Sequence, residues 1–356
     1  MIDLASLDDV SRKDLFRATS QQMKLDAAFI EKDFWICWVL EYLFGRSSIS
    51  DKAAFKGGTS LSKGYGLIRR MSEDIDVILD WRLLGYGLDE PWEERGSKKQ
   101  RAFIEEMHNR ATTFIGNTLL FEMRSDFKDF DLTDFSLEIV PSDPQTIRFY
   151  YPQAFSEDAL LQEIRIEAGA LSAWTPAETI AMTSYAENFF SDMFVEGEVK
   201  VRTVLSERTF WEKVTILHKE SFREVGNVPN RYSRHYYDVY ELSNSATKDR
   251  AFKDVDLLER VVSFNSRFYR SAFAHYELAK PGTLRLMPPE ASISVLERDY
   301  AAMRPMVYGD YPSFSEILES LKHLEDEINF FGECQGDECQ GDAHLDSLSL
   351  RALSKD

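Results

Sequence analysis

Asp74 and Asp76 take alternate places in Asp74-Ile75-Asp76-Val77-Ile78-Leu79, and two carboxylates at that spacing can grip one divalent cation. The apolar residues around them read as a buried strand, which sends both side chains out of one face, roughly 6.5–7 Å apart along the chain. Mg²⁺ prefers oxygen ligands and keeps several waters, so one or two carboxylates plus substrate phosphates commonly hold it. Upstream stands Lys56-Gly57-Gly58-Thr59-Ser60-Leu61-Ser62-Lys63, where a strand at Ala53-Ala54-Phe55 breaks before a helical stretch from Ser60 to Arg70. Glycine lets the backbone turn sharply and come close to a ligand, and the helix start that follows favours an anion. It is not a Walker A loop, because Ser62 precedes Lys63 where that motif has its second glycine. Taken singly, a glycine pair reads as a turn and an Asp-x-Asp as a solvated strand edge. Their order, strand, Gly-Gly, helix, Asp-x-Asp strand, is what gives them a joint chemical meaning.

Elements to position these groups are legible around them. With 356 residues, 44% of them hydrophobic, the chain can bury a sizeable core and is expected to make two structural units. Leu15 to Phe44 reads as helical. Its apolar run from Phe34, interrupted by Glu41, falls short of the about 20 residues that span a bilayer, so it predicts a core helix under the sheet that carries the two aspartates. Strands are expected near Ala53–Phe55, Ile75–Leu79, Ser136–Val140, Ile147–Tyr151 and Glu163–Ala168, with helices between Lys98 and Leu120. From Ala177 onward helical patterns dominate, and Trp174-Thr175-Pro176-Ala177-Glu178 looks like a capped helix start. The expected fold is α+β: a small mixed sheet flanked by helices over residues 1–175, a mainly helical region over 176–330 that completes the site, and an acidic, disordered tail over 331–356.

Neither an Arg-rich leader nor a signal-type apolar segment opens the chain, and three cysteines make no disulfide framework, so a cytoplasmic protein without membrane contact is expected. Cys37 lies in the apolar run. Cys334 and Cys339 belong to a tandem Glu-Cys-Gln-Gly-Asp repeat, readable as a metal-binding pair or, on composition, as part of the tail. The net charge of −19 argues against nucleic acid, but its distribution softens the objection. Residues 325–346 hold eight acids and no Lys or Arg, whereas residues 200–235 hold eight Lys or Arg against four acids and residues 51–70 five against one. These excesses form either a local basic cleft or scattered solvated faces. Six scattered histidines have no zinc spacing, and His218 and His235 read as packing or hydrogen-bonding residues.

Gly-Gly-Thr, helix, Asp-x-Asp resembles the DNA-polymerase-β-like nucleotidyltransferase superfamily and, more narrowly, the AbiEii/AbiGii toxin family. The resemblance is carried by Ile30-Glu31-Lys32-Asp33-Phe34-Trp35, Phe55 to Lys63, Arg70 to Leu79, Ile164 to Ala170, Leu205 to His218 and Arg234-His235-Tyr236-Tyr237-Asp238, in the family's order and over most of the chain. It implies transfer of a nucleotide from an NTP to an acceptor with release of pyrophosphate, dependent on Mg²⁺ or Mn²⁺. Asp74 and Asp76 would bind the metals. Glu167, ending the Ile164, Ile166 alternation, would be the third carboxylate, with Glu138 as rival, and would position or deprotonate the acceptor hydroxyl. The turn Gly57, Gly58, Thr59, Ser60 with Ser72 would hold the triphosphate, with Lys63 or Arg70 adding charge.

Lys213 and Asp238 match positions where family members carry a functional lysine and aspartate, the lysine neutralising triphosphate and the aspartate orienting that lysine or the acceptor. Taken alone, Lys213 fits a solvated helix face and Asp238 a helix charge paired with Arg234 four residues earlier. The resemblance further implies a toxin of an abortive-infection, phage-defence type, a cognate antitoxin as partner and, by likeness to tRNA-modifying relatives, the 3′ end of tRNA as acceptor. An enzyme modifying a protein acceptor and a nucleotide-binding regulator without turnover are the competing readings.

Overall fold

Alternating Val, Ile and Leu in short runs make strands, and longer apolar stripes make the helices that cover them. The structure, a computed structural model, describes residues 8–158, 160–170, 175–194, 198–224 and 228–334. Among the described residues seven strands form one mixed sheet: β1 (Ala53–Lys56), β2 (Asp74–Leu79), β3 (Ser136–Val140), β4 (Asp143–Tyr150), β5 (Ile164–Gly169), β6 (Ala177–Met182) and β7 (Val199–Val204). Their order is β3-β4-β5-β2-β1-β7-β6. β2 runs parallel to β5, and β1 parallel to β7; the other neighbours are antiparallel. This is the α+β architecture expected from the sequence, with a wider sheet.

The two added strands correct the reading of residues 177 onward as helical. Ala177, Glu178 and Ala181 are good helix formers, and Pro176 imitates a helix start, but local propensity yields when a neighbouring strand offers a full ladder. All six residues of β6 pair with β7, whose Val199, Val201 and Thr203 alternate inward. The sheet therefore runs past residue 175 to Val204. A second correction concerns Ser60 to Arg70. Helix covers only Gly57–Thr59 and Ser60–Gly64, and Gly66 turns with φ +62° before Arg70 bridges to Val307.

The Ala27–Gly45 helix lies against this sheet and is apolar nearly all round, as a fully buried helix must be. Asp26 starts it by accepting a hydrogen bond from the Ala28 amide, 2.8 Å away. Trp35 and Trp38 pack from this helix on Phe149 of β4, and Trp38 also meets Phe127 at 4.5 Å between ring centres. A second apolar core joins the Ser206–Glu220, Arg234–Ser243, Asp256–Phe268 and Phe314–Cys334 helices, and Leu61 and Ile68 reach into it. Among the described residues no helix is long and apolar enough to cross a membrane. Trp174 and the tail beyond residue 334, with Cys339 and most of its repeat, lie outside the described residues, as do the side chains of Glu333 and Cys334.

Candidate active site

The centre of the sheet brings one row of charged side chains together. Lys56 on β1 is register partner of Asp76 on β2, and Asp76 of Glu167 on β5. Asp74 lies two residues back on β2, on the same face. Strand periodicity places the carboxylates, and the β2–β5 register, invisible in sequence, decides that Glu167 rather than Glu138 joins them. Glu138 sits on β3, three strands from β2, opposite Arg148 and within 3.4 Å of its guanidinium.

Three carboxylates this close repel one another. Asp74 is held above the usual carboxylate range by burial, then by the charges of Asp76 and Glu73. Burial also raises Asp76, against the opposing pull of Lys56, Lys213 and Arg234. Glu167 is exposed, and water damps the repulsion it feels; even so, partial desolvation and the charges of Asp76 and Asp74 push its carboxyl up to about 7. Among the described residues no three His, Cys, Asp or Glu side chains are grouped closely enough to hold one metal ion. The arrangement is an open half-site of oxygen donors, which suits a hydrated Mg²⁺ or Mn²⁺ that takes its remaining ligands from water and phosphate.

Gly57 is required by what stands against it. Its φ is +80°, and a Cβ there would lie 1.8 Å from Oδ2 of Asp76. Gly58 is equally tight, since a Cβ would come within 2.7 Å of the Ser72 hydroxyl and 2.8 Å of Nη2 of Arg70. The turn thus lies directly on the carboxylate, the hydroxyl and the guanidinium. Thr59 donates to the Asp74 carbonyl at 2.5 Å and Ser60 to the Gly57 carbonyl at 2.9 Å, so both hydroxyls brace the turn. Gly57→Ala is expected to destabilise the protein by at least about 1–2 kcal/mol, read as a lower urea midpoint. Gly116→Ala, which meets nothing within 4 Å on a helical segment, serves as control and stabilises slightly.

Behind the turn, Asp238 is fully buried and holds two cations. Arg70 grips it through Nε and Nη2, both at 2.7 Å, and Lys213 donates to Oδ2 at 2.7 Å. Burial opposes ionisation of Asp238, but the two cations more than offset it and hold the carboxyl far below its usual range. Burial lowers Lys213. The alternative reading, in which Asp238 pairs with Arg234, does not hold: its partners are Arg70 and Lys213. Among the described residues Arg234 has no carboxylate within ion-pair distance, yet its charge acts on Asp74, Asp76 and Glu167 alike. Sequence reasoning passed over Arg234 as a site residue; its place one turn before Asp238 was the available signal.

Lys63 is not part of this group. It is buried, paired with Asp33 at 2.7 Å and set 4.0 Å over the Tyr185 ring. Asp33 belongs to three consecutive buried charges on the Ala27–Gly45 helix, each holding a different segment. Glu31 accepts from the Ala154 and Phe155 amides, and Lys32 donates to the Leu161 carbonyl and pairs with Glu73 beside Asp74. Asp33 takes both Lys63 and the Tyr185 amide. This helix therefore positions the glycine turn and the start of β2. His218 accepts from the Arg285 amide at Nδ1 and donates from Nε2 to the His275 carbonyl, a hydrogen-bonding residue as expected.

The row opens into a cleft of about 230 Å³ lined by Lys56, Asp76, Glu167, Thr146, Gln145 and Tyr269, among others. Two larger hollows lie along the Asp256–Phe268 helix and contain none of these carboxylates. A glycine turn packed on an Asp-x-Asp strand of a mixed sheet, backed by buried cations, is an arrangement suited to phosphate-bearing substrates.

The particular assignment comes from sequence. Residues 38–320 match the family model described as nucleotidyl transferase AbiEii toxin of a type IV toxin–antitoxin system, and the chain belongs to that family. Membership makes it a nucleotidyltransferase of the toxin class and implies an NTP substrate and an antitoxin partner. No curated protein matches the chain in sequence. Among solved structures it is similar to JHP933 from Helicobacter pylori, with 15% identity, TM-score 0.43 and coverage of 93% of this chain and 100% of that one. It is also similar to MenT4, a nucleotidyltransferase toxin from Mycobacterium tuberculosis H37Rv, with 13% identity, TM-score 0.42 and coverage of 88% and 96%.

Proposed function

We propose that this protein is a cytoplasmic, metal-dependent nucleotidyltransferase toxin that transfers NMP from an NTP to the 3′ hydroxyl of tRNA and acts in defence against phage. The observation that carries the chemistry is the register Lys56, Asp76, Glu167 across three adjacent strands, with Gly57 packed on the Asp76 carboxylate. Asp74 and Asp76, with Glu167 as the third carboxylate, would hold the metal, and a divalent ion bound there would supply charge neutralisation for the attacking and leaving oxygens. Glu167, whose carboxyl is raised by burial and by the charges of Asp76 and Asp74, would be freed of its proton by the bound cation and take the proton of the acceptor hydroxyl. The hydroxyl oxygen then bonds to the α-phosphorus as the bond to pyrophosphate breaks.

Binding of the triphosphate falls to Ser72, Arg70, Lys213 and Arg234. Arg70, Lys213 and Asp238 together carry one net positive charge, fixed beside Gly58 by three hydrogen bonds of 2.7 Å. Transfer of this kind asks the protein mainly for positioning and charge. Lys63, held by Asp33, serves by fixing the turn rather than by meeting phosphate.

Incubating the purified protein with total cellular RNA, Mg²⁺ and each α-³²P-labelled NTP in turn tests the reading. Label is expected in tRNA-sized RNA from one nucleotide, and none with Asp74→Ala/Asp76→Ala. Label in protein instead of RNA would replace the acceptor, and equal labelling by the double variant would overturn the assignment of the carboxylates.

A further inference from the structure

The carboxylate row extends one strand beyond what a metal half-site needs. Thr146 on β4 is register partner of Glu167, so Thr146, Glu167, Asp76 and Lys56 stand side by side on four neighbouring strands. All four line the cleft of about 230 Å³, whose wall is completed by Tyr269, His108 and Gln145. Among the described residues none of Ser72, Arg70, Lys213 and Arg234, the groups given to the triphosphate, lines it. The cleft therefore lies on the other side of the row, with Glu167, the carboxylate placed at the acceptor hydroxyl.

Its lining offers no cation cluster to a phosphate. Asp76, Asp143 and Glu167 stand there against one lysine, and that Lys56 pairs with Glu212 at 3.9 Å. Asp143 is occupied locally, accepting from the Thr146 hydroxyl at 2.7 Å. The volume falls below the about 300–1,000 Å³ of pockets for drug-sized ligands, which leaves room for one small ring system and none for a duplex.

Gln145 and Tyr269 give that ring system its chemistry. Nε2 of Gln145 donates to the His108 carbonyl at 3.3 Å and lies 2.9 Å from Nδ1 of His108; a carbonyl only accepts, so the amide orientation is settled. Oε1 turns instead to Gly169 of the cleft, where a Cβ would lie 3.3 Å from it. Among the described residues no group donates to this oxygen, so the cleft wall presents a fixed acceptor. Tyr269 follows the Asp256–Phe268 helix, its amide donating to the Asn265 carbonyl at 2.8 Å while the residue stays 49% exposed. A ring on an anchored backbone, open to the cleft, is a stacking surface for an unpaired base.

We infer that this cleft seats the terminal nucleoside of the acceptor RNA, its base stacked on Tyr269 and its exocyclic amine donated to Oε1 of Gln145. The ribose hydroxyl then meets Glu167. The inference rests on the transferase reading, whose acceptor it specifies. Adenine and cytosine carry an amine where guanine and uracil carry a carbonyl oxygen, so ends of the first kind are selected.

Four tRNA-sized transcripts that differ only in the 3′-terminal base test it, by fluorescence anisotropy without NTP and by kcat/KM for the acceptor. The wild type is expected to favour A and C ends over G and U ends by about fivefold or more. Gln145→Leu, of similar size, should flatten that preference while the KM for NTP holds. Tyr269→Ala should weaken all four ends by about tenfold, and Tyr269→Phe should restore them. Tyr269→Trp, with a larger face, should bind more tightly than the parent, a gain that a folding defect cannot produce. A wild type indifferent to the terminal base, or a Tyr269→Ala protein that binds every end as its parent does, would overturn the inference. So would variants that change which NTP is used rather than which end, since the cleft would then hold the incoming base. If the wild type labels RNA while ends and variants make no difference, the cleft assignment fails and the transferase reading stands; if it labels only protein, both fail.

Discussion

Asp76→Asn is expected to cut nucleotide transfer by at least about 10²–10³-fold while leaving a protein no less stable than its parent at pH 7. The side chain keeps its shape against Gly57 but loses the charge that Lys56, Lys213 and Arg234 surround. Stability moves the other way because the carboxyl is raised in the folded protein. Above the unfolded value of about 3.9 the charged form is favoured more in the unfolded chain, so ionisation costs the fold stability as pH rises through the folded value. The amide removes that cost. The advantage of the variant in urea midpoint should therefore shrink as pH falls and vanish below about pH 4. Glu167→Gln should behave alike, with its advantage appearing between the ordinary 4.5 and about 7. In the wild type, cation binding should displace a proton near neutral pH, so apparent Mg²⁺ affinity rises through pH 7. An Asp76→Asn protein that retains a tenth of the activity would remove this carboxylate from the chemistry, and one that unfolds would show that its role is architectural.

How much of this was readable in advance depended on range. Local alternation marked β1 to β5 to within a few residues, and the Asp74, Asp76 pair announced itself because its spacing alone puts both side chains on one face. Strand β7, Val199-Lys200-Val201-Arg202-Thr203-Val204, has the same alternation. It was lost because the Pro176 signal upstream suggested a helical region, and β6 then had no visible partner. Partner choice for charges was beyond reach for a different reason. Lys63 lies seven residues from Lys56 and shares its turn, yet one joins Asp33 from a helix 30 residues earlier in the chain and the other, in register with Asp76, pairs with Glu212. Arg70 and Asp238 are 168 residues apart, and nothing periodic in sequence links them. The family resemblance named Asp238 and Lys213 and allowed that one orients the other; only folding shows that Arg70 joins them in one ionic unit.

That unit makes Asp238→Asn the most destabilising single change expected in the chain. Asp238 is 0% exposed and Arg70 and Lys213 are nearly as buried, so the variant leaves one guanidinium and one ammonium charge facing each other with no anion and little water. Breaking one partner of a buried ionic group costs about 3–5 kcal/mol, a large part of the about 5–15 kcal/mol that holds a typical domain together. The wild type keeps this stabilisation wherever Asp238 is ionised. Since its carboxyl is held far below the ordinary range, the contribution is complete above the unfolded value and fades only in strong acid. In alkali the variant should also gain stability as pH rises. Lys213 is already lowered by burial and by Arg70, and without Asp238 it binds its proton less tightly still. A lysine whose folded value lies below its unfolded one makes stability rise with pH, so the variant should regain part of its loss between pH 7 and about 10. Lys213→Met in the same background should return a share at pH 7 by removing the surplus cation, while losing a phosphate-binding charge. Urea titrations at the two pH values measure both effects. A variant as stable as the parent at pH 7 would mean that water reaches the group, and the fixed cation pair beside Gly58 would then have no ordered frame from which to hold a triphosphate.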